Sequence, residues 1–426
     1  MRTLVCLAAV LLVAVAWYAL APKPSAEPPG RWRAAEAAGQ SPASAADRAL
    51  IERLEAIGYA AGSIPATDRS GVTRLDPQRA QSGLNLAVSG HAPEATLLDM
   101  QGVEVHRWHY PFDAAFPEAR PHPDDPGPTY WRHAHLLPDG GLLAIFEGLG
   151  LIRLDRDSKL LWAYDGKAHH DLAVAQDGRI TLLTRRIRRD FPGGHPVLDD
   201  SVTVLGADGR ELTSRSLLEA YRDSSFASDL DGLPLRGEPF HTNTVEVLDG
   251  SHVALSPAFA RGNMLLSMRM IDTIAVLDPA SGRIVWRLRG GWDKQHQPTL
   301  LPSGRMLIFD NRPEDGRSRI LEFTPTNGET VWQYGAGDGE AFFSRTCGSV
   351  QRLANGNTLV TESDNGRAFE VTRDGDIVWE YVTPHRVGSE SELIATLFEV
   401  LRLPPDFPTG WLDSATTASA AAYADP

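Results

Sequence analysis

Histidine recurs at one phase of a repeated pattern. His133 and His135 precede LLPDGGLLAIF, His170 precedes DLAVAQDGRITLL, His241 precedes TNTVEVLDGSHVAL, and His296 precedes QPTLLPSGRMLIF. About eight residues lead from histidine to turn glycine each time, as from His133 to Gly141, His170 to Gly178, His241 to Gly250 and His296 to Gly304. A repeat puts equivalent residues at equivalent points of a fold, so in a ring of repeats these imidazoles meet in the middle. Neutral imidazole is a competent nucleophile near neutral pH, and a bond to its second nitrogen fixes the tautomer. Arg269 sits in the apolar run NMLLSMRMIDTIAVLD. It either pairs with a carboxylate such as Asp272 or clamps an anion, since a guanidinium fork suits tetrahedral oxyanions. Asn243 lies two residues after His241, on the same side of a strand, where it can donate to the same anion or orient an imidazole. Several histidines around one arginine fit transfer of an anionic group through a histidine adduct. Positioning and charge stabilisation would supply most of the catalysis, with a protonated histidine serving the leaving oxygen.

The elements that must hold these residues are short strands. After each histidine come an apolar run, a turn (PDG, QDG, LDG, PSG, ANG), a second run, a third ending in Asp or Thr, and a fourth with an aromatic (LLWAY, IVWRL, TVWQY, IVWEY). Four antiparallel strands returning about every 40 to 50 residues predict a β-propeller. The units fall at 131–166, 169–216, 241–290, 296–336 and 345–384. A partial unit at 84–110 is completed by 393–407, which makes an all-β, six-bladed propeller over 82–410 with no open edge at the seam. Trp162, Trp286, Trp332 and Trp379 share the fourth-strand phase and are expected to pack between neighbouring sheets. The stretch 217–240 reads as an inserted loop or short helix.

The start of the chain reads as a targeting segment. Met1 and Arg2 precede an uncharged apolar stretch that runs to Ala21 and ends in the small-x-small form of a cleavage site. It is also near the ~20 residues of a membrane span, so residues 1–21 are expected to be a signal peptide or an anchor. Either one sends the body of the protein out of the cytoplasm, to the periplasm or outer face. Residues 22–81 read as a Pro/Ala/Ser-rich linker with a short helix over Ala43–Ile57 capped by Ser41, and 411–426 as a disordered tail. With net charge −14 the chain is a poor candidate for nucleic acid. The basic run at 185–190 reads as a solvated loop. After signal cleavage Cys347 is the only cysteine, which rules out an intrachain disulfide.

The motifs HHD (His169–Asp171), HTN (His241–Asn243), SMR (Ser267–Arg269), WDKQHQ (Trp292–Gln297) and FDN (Phe309–Asn311), in this order through 130–385, resemble those of the bacterial arylsulfotransferases that use no nucleotide sulfate donor. The resemblance implies ping-pong transfer of a sulfuryl group from an aryl sulfate to a phenolic acceptor. His296 would be the nucleophile, His241 and Arg269 would bind sulfate oxygens, and His170 would be a third channel histidine. Asn243 and His169 would support substrate binding, and no cofactor or metal is implied. The chain departs from better-known members in having no room in 22–81 for an N-terminal β-sandwich. His133 and His135 lie outside the motif and read as a structural echo of the repeat. A propeller that only binds an anionic ligand in its channel is the alternative. Three histidines from separate units could also hold zinc or copper, though only His133 and His135 have paired-ligand spacing.

Overall fold

The computed structural model describes residues 59–191, 195–233, 235–336 and 341–412. The expected helix at 43–57, the apolar stretch 1–21 and the chain beyond Leu412 lie outside the described residues.

Nearly every described element is a strand, and the strands form six antiparallel sheets plus one small one. The second sheet shows the pattern: His133–Leu136, Leu142–Phe146, Gly150–Leu154 and Leu160–Tyr164, paired in chain order. The third, fourth and fifth sheets begin with Ala168–Val174, Thr242–Val247 and His296–Leu300 and repeat that order. The sixth begins with Ser349–Arg352. The first sheet joins the two ends of the domain, because Leu397–Arg402 pairs with Asn85–Ser89. This is the completing strand expected from 393–407.

Burial follows position in the sheet. The second strand of the second sheet, LLAIF, is buried at every residue, whereas the fourth, LLWAY, is half-buried or exposed. Inner strands have sheets stacked on both faces, so they read as unbroken apolar runs, and outer strands face water. Six apolar clusters each join one sheet to the next. Trp108 of the first sheet shares one cluster with Phe146 of the second, and Ile145 of the second another with Leu182 of the third. Further clusters join the third sheet to the fourth, the fourth to the fifth and the fifth to the sixth. The last puts Trp379 and Leu359 of the sixth sheet against Ala87 and Leu98 of the first. Indole N–H groups add contacts between sheets: Trp162 donates to the Ala207 carbonyl at 3.2 Å, Trp332 to that of Arg373 at 2.9 Å and Trp379 to that of Met100 at 3.0 Å. Each acceptor lies in a hairpin turn of the following sheet. Trp286 instead packs on Phe259.

Three expectations are corrected. The linker reading does not hold for 59–81, because Gly71–Leu75 forms a fifth strand on the sixth sheet beside Ile377–Val382. Ile64–Pro65 pairs with Leu393–Ile394. The open edge of the sixth sheet supplied the pairing that composition did not reveal. The tail reading fails at its first two residues, since Leu412 is buried and Trp411 packs on Trp108. The basic run at 185–190 lies mostly within the strand Ile180–Arg188, where Arg185 meets Glu147 and Arg188 meets Asp199. The 217–240 insertion carries the helix Leu217–Arg222, capped by Ser216, whose Oγ accepts from the Glu219 N–H.

Candidate active site

The innermost strands end at one small cavity of about 30 Å³, and each of the six sheets contributes to its wall. The second sheet supplies His133, with Arg132 just before it. The third supplies His170 and Asp171, the fourth Asn243 and Thr244, and the fifth His296 and Gln297. Ser349 of the sixth sheet and Phe398 and Glu399 of the first complete it. Strand register shifts where the histidines stand, between His169 and Leu172, between Thr242 and Thr244, and between His296 and Thr299. Near these irregularities His170, His241 and Gln297 take positive φ of 57°, 48° and 48°. Left-handed backbone at a non-glycine residue is costly and collects at functional sites, and bulges re-aim side chains.

His296 is the most constrained of the four. Its Nδ1 lies 2.6 Å from Asn311 Oδ1 and 3.1 Å from the Lys294 carbonyl. Both are acceptors, so Nδ1 carries the proton and Nε2 keeps its lone pair. The Asn311 amide cannot turn over, because its Nδ2 donates to the carbonyls of Ser344 and Cys347, both at 2.8 Å. His296 Nε2 has no hydrogen-bond partner among the described residues. Burial first, and then the positive charge of Arg269, hold the ring well below the ordinary histidine value. The result is a neutral, oriented imidazole with one free lone pair.

His170 and His241 meet directly, with their Nε2 atoms 3.1 Å apart. Tyr59, from the segment assigned to the linker, places its hydroxyl 2.7 Å from His170 Nε2 and 2.8 Å from His241 Nε2. His241 Nδ1 lies 2.9 Å from Glu238 Oε2. Burial lowers the His241 pKa overall, although Glu238 opposes the shift. Burial also holds His170 well below its ordinary value, helped by the charges of His241 and His169. The Tyr59 hydroxyl is pushed well up by burial and stays protonated.

Two guanidinium groups serve this region without ion-pair partners among the described residues. Arg269, 7% exposed, makes only a 3.7 Å contact to the Met270 sulfur, and its Nε is unpartnered. Asp272, the carboxylate that could have paired with it, takes Lys294 instead. Arg132 is equally buried and its Nε is also unpartnered, while its guanidinium lies 5.1 Å from the ring centres of both Tyr59 and Phe398. Nearby carboxylates are engaged elsewhere: Glu399 with His133 at 2.9 Å and Glu147 with Arg185 at 3.2 Å. A buried cation with no fixed counter-charge is expensive unless an anion comes to it.

The expected residues are thus placed as follows. His170, His296 and Asn243 line the cavity; His241 touches His170; the charge of Arg269 acts on His296. One N–H of Asn243 already serves the Gln295 carbonyl at 2.9 Å. His169 does not line the cavity. It stands behind His170, with the two Nδ1 atoms 2.8 Å apart, at the irregularity where the left-handed backbone of His170 breaks the strand's alternation. His133 is no mere echo of the repeat, since it lines the cavity beside Glu399, and His135 lines a separate groove of about 640 Å³. Glu147, His169 and His170 bring ligand atoms within 4.8 Å of one another and are the residues here that could hold a metal; His91, Glu94 and His385 form a second such group away from the cavity. Tyr59, Arg132, Glu238 and Asn311 were missed. Of these only Asn311 carried a signal, as the last residue of FDN.

A family profile described as Arylsulfotransferase (ASST) matches residues 133–384, the stretch that carries five of the six cavity walls and every histidine of the repeat. The chain belongs to the arylsulfotransferase family. Membership implies a sulfotransferase that works between aryl sulfates and phenols. No curated protein matches the chain. Among solved structures, a protein of unknown function from Bacteroides caccae aligns at 12% identity over 75% of this chain and 98% of its own, with TM-score 0.46. The Cps50 (Swd1) β-propeller domain of Myceliophteria thermophila gives 11%, 78%, 100% and 0.44 for the same measures, and a streptogramin B lyase 15%, 80%, 95% and 0.43. No reading of function rests on likeness this distant.

Proposed function

We propose that this arylsulfotransferase moves a sulfuryl group in two steps through a sulfohistidine at His296. One observation carries the reading: a buried imidazole whose Nδ1 is fixed by Asn311 and whose Nε2 lone pair has no partner among the described residues. The donor sulfate sits with its oxygens toward Arg269, Arg132 and the remaining N–H of Asn243. His296 Nε2 attacks sulfur, the S–N bond forms, and the aryl oxygen leaves with the electron pair of its S–O bond. That oxygen takes a proton from the His170–Tyr59–His241 group. Positive charge developing on His296 is stabilised by the Nδ1–H···Oδ1 bond to Asn311. The two guanidiniums meet the charge spread over the sulfuryl oxygens of a loose transition state. A phenol then reverses these steps and collects the group.

The same reading takes the six sheets as the blades of one closed propeller, supported by the shared core between the sixth and first sheets and by the strand Leu397–Arg402. It takes residues 1–21 as an export signal or anchor, and the periplasmic side as the place of action. N-terminal sequencing distinguishes the two, since a cleaved signal leaves a chain starting after Ala21.

The test is incubation with 4-nitrophenyl sulfate followed by trypsin and mass spectrometry. The mass of one SO3 group is expected on the peptide 295–305, whose only histidine is His296. His296→Ala should keep the fold and lose nitrophenol release on the order of a thousand-fold or more. No adduct and no nitrophenol across a range of aryl sulfates would refute the reading.

A further inference from the structure

The family takes phenols as acceptors, and this chain has placed a phenol of its own at the site. Tyr59 is 2% exposed, and its hydroxyl stands between His170 and His241. It is held there from both sides of its backbone, because the Tyr130 hydroxyl accepts from the Tyr59 N–H and donates to the Tyr59 carbonyl, each at 2.9 Å. The following residues are tied to the segment that leads into Phe398, by Thr396 Oγ1 to the Ala60 carbonyl at 3.0 Å and Thr396 N–H to the Ala61 carbonyl at 2.6 Å.

The surroundings of that hydroxyl are those an acceptor phenol requires. To attack sulfur, a phenol must give up its proton to a base as the O–S bond forms. Tyr59 Oη has His241 Nε2 at hydrogen-bond distance, and the far nitrogen of that ring faces Glu238 Oε2 at 2.9 Å. A carboxylate behind an imidazole orients it and stabilises the imidazolium, as in hydrolase triads. His170 links Tyr59 to the nucleophile's cavity, since its Nε2 contacts Oη and its side chain lines the wall with His296. The cavity itself, at about 30 Å³, has room for one or two waters among the side chains that line it.

We propose that Tyr59 is an internal sulfuryl acceptor, so that the sulfohistidine at His296 passes its group to this side chain to give tyrosine sulfate. The proposal rests on the function assigned above. In the step, Tyr59 Oη bonds to sulfur and its proton goes to His241 Nε2. The S–N bond to His296 breaks, its electron pair returns to Nε2, and the imidazole is neutral again. The aryl sulfate donor is the only co-reactant. Arg132, stacked 5.1 Å from the Tyr59 ring centre, is at hand to balance the new negative charge.

The experiment uses the full chain with 4-nitrophenyl sulfate and no added phenol. Trypsin releases 54–69, whose only phenol is Tyr59, and 295–305, which holds His296. The expected result is one SO3 mass on 54–69 that is absent from the Tyr59→Phe protein. Because Tyr59 also belongs to the proton-donating group, that variant should form the adduct on 295–305 more slowly, with His170 and His241 still in place, but should still form it, and His296→Ala should remove both. An adduct confined to 295–305 in the wild type would overturn the acceptor role and leave the sulfohistidine intact. So would an adduct on 54–69 that survives in Tyr59→Phe, since it would then reside on Ser63 or Thr67. Absence of both adducts with no nitrophenol released would overturn the proposed function itself, and the acceptor role with it.

Discussion

Asn311 decides which nitrogen of His296 can react. Its Oδ1 accepts from Nδ1, and its own Nδ2 is locked by two carbonyls, so the neutral tautomer with a free Nε2 lone pair is built into the resting protein. Asn311→Ala should lower kcat roughly ten- to a hundred-fold, the usual scale for losing a group that orients a functional histidine. KM for the donor should barely move, because Asn311 is absent from the cavity wall. Steady-state kinetics with an aryl sulfate and a phenol separate the two, and a loss seen mainly in KM would argue for a binding role. The histidines were legible in the sequence because a repeat marks equivalent positions. Arg132 and Tyr59 were not, since each acts through contacts far along the chain. Tyr59 meets His241 across 182 positions, and no local pattern encodes that meeting.

At the scale of elements the four phase-matched tryptophans were read as alike, and the structure separates them. Trp162, Trp286 and Trp332 are half-buried on outer strands, whereas Trp379 is fully buried. The cause is Gly71–Leu75, which adds a strand beyond Ile377–Val382 and covers the outer edge of the sixth sheet. Trp379 also donates to the Met100 carbonyl and lies under the Arg402 guanidinium, 5.0 Å from its ring centre. Trp379→Ala should therefore cost about 3–5 kcal/mol, as large aromatics in closed cores do. Trp162→Ala should cost well under half of that, and urea denaturation of both variants checks the order. Equal losses would mean that the added strand gives no cover. Sheet boundaries were legible because turn glycines and apolar runs are local signals. The extra strand was not, since GVTRL is short, lies beside a Pro/Ala-rich stretch, and takes its structure from an edge more than 300 residues further on.

At the scale of the molecule, the seam between the two ends of the domain rests on Arg402. It lies in the strand Leu397–Arg402 that completes the first sheet, 1% exposed. Its Nε donates to Asn85 Oδ1 at 2.5 Å on the neighbouring strand, and its Nη1 reaches Glu370 Oε2 at 3.1 Å in the sixth sheet and the Gln81 carbonyl. One side chain thus joins the first sheet, the sixth sheet and the segment entering the domain. Removing one partner of a buried ion pair leaves the other charge stranded and typically costs about 3–5 kcal/mol, whereas replacing both with neutral groups costs far less. Arg402→Met should fall in that range by urea denaturation. Adding Glu370→Gln should recover part of the loss, because Gln81 N–H and the Asn357 amide, which now donate to Glu370 Oε1, can still donate to the neutral side chain. In the closed ring proposed above every sheet is supported on both sides, so the single variant should still unfold in one transition, at lower urea. Early separate melting of the first sheet, followed by near-ultraviolet circular dichroism or the fluorescence of Trp108, would instead show six sheets joined in a row and held only weakly at the seam.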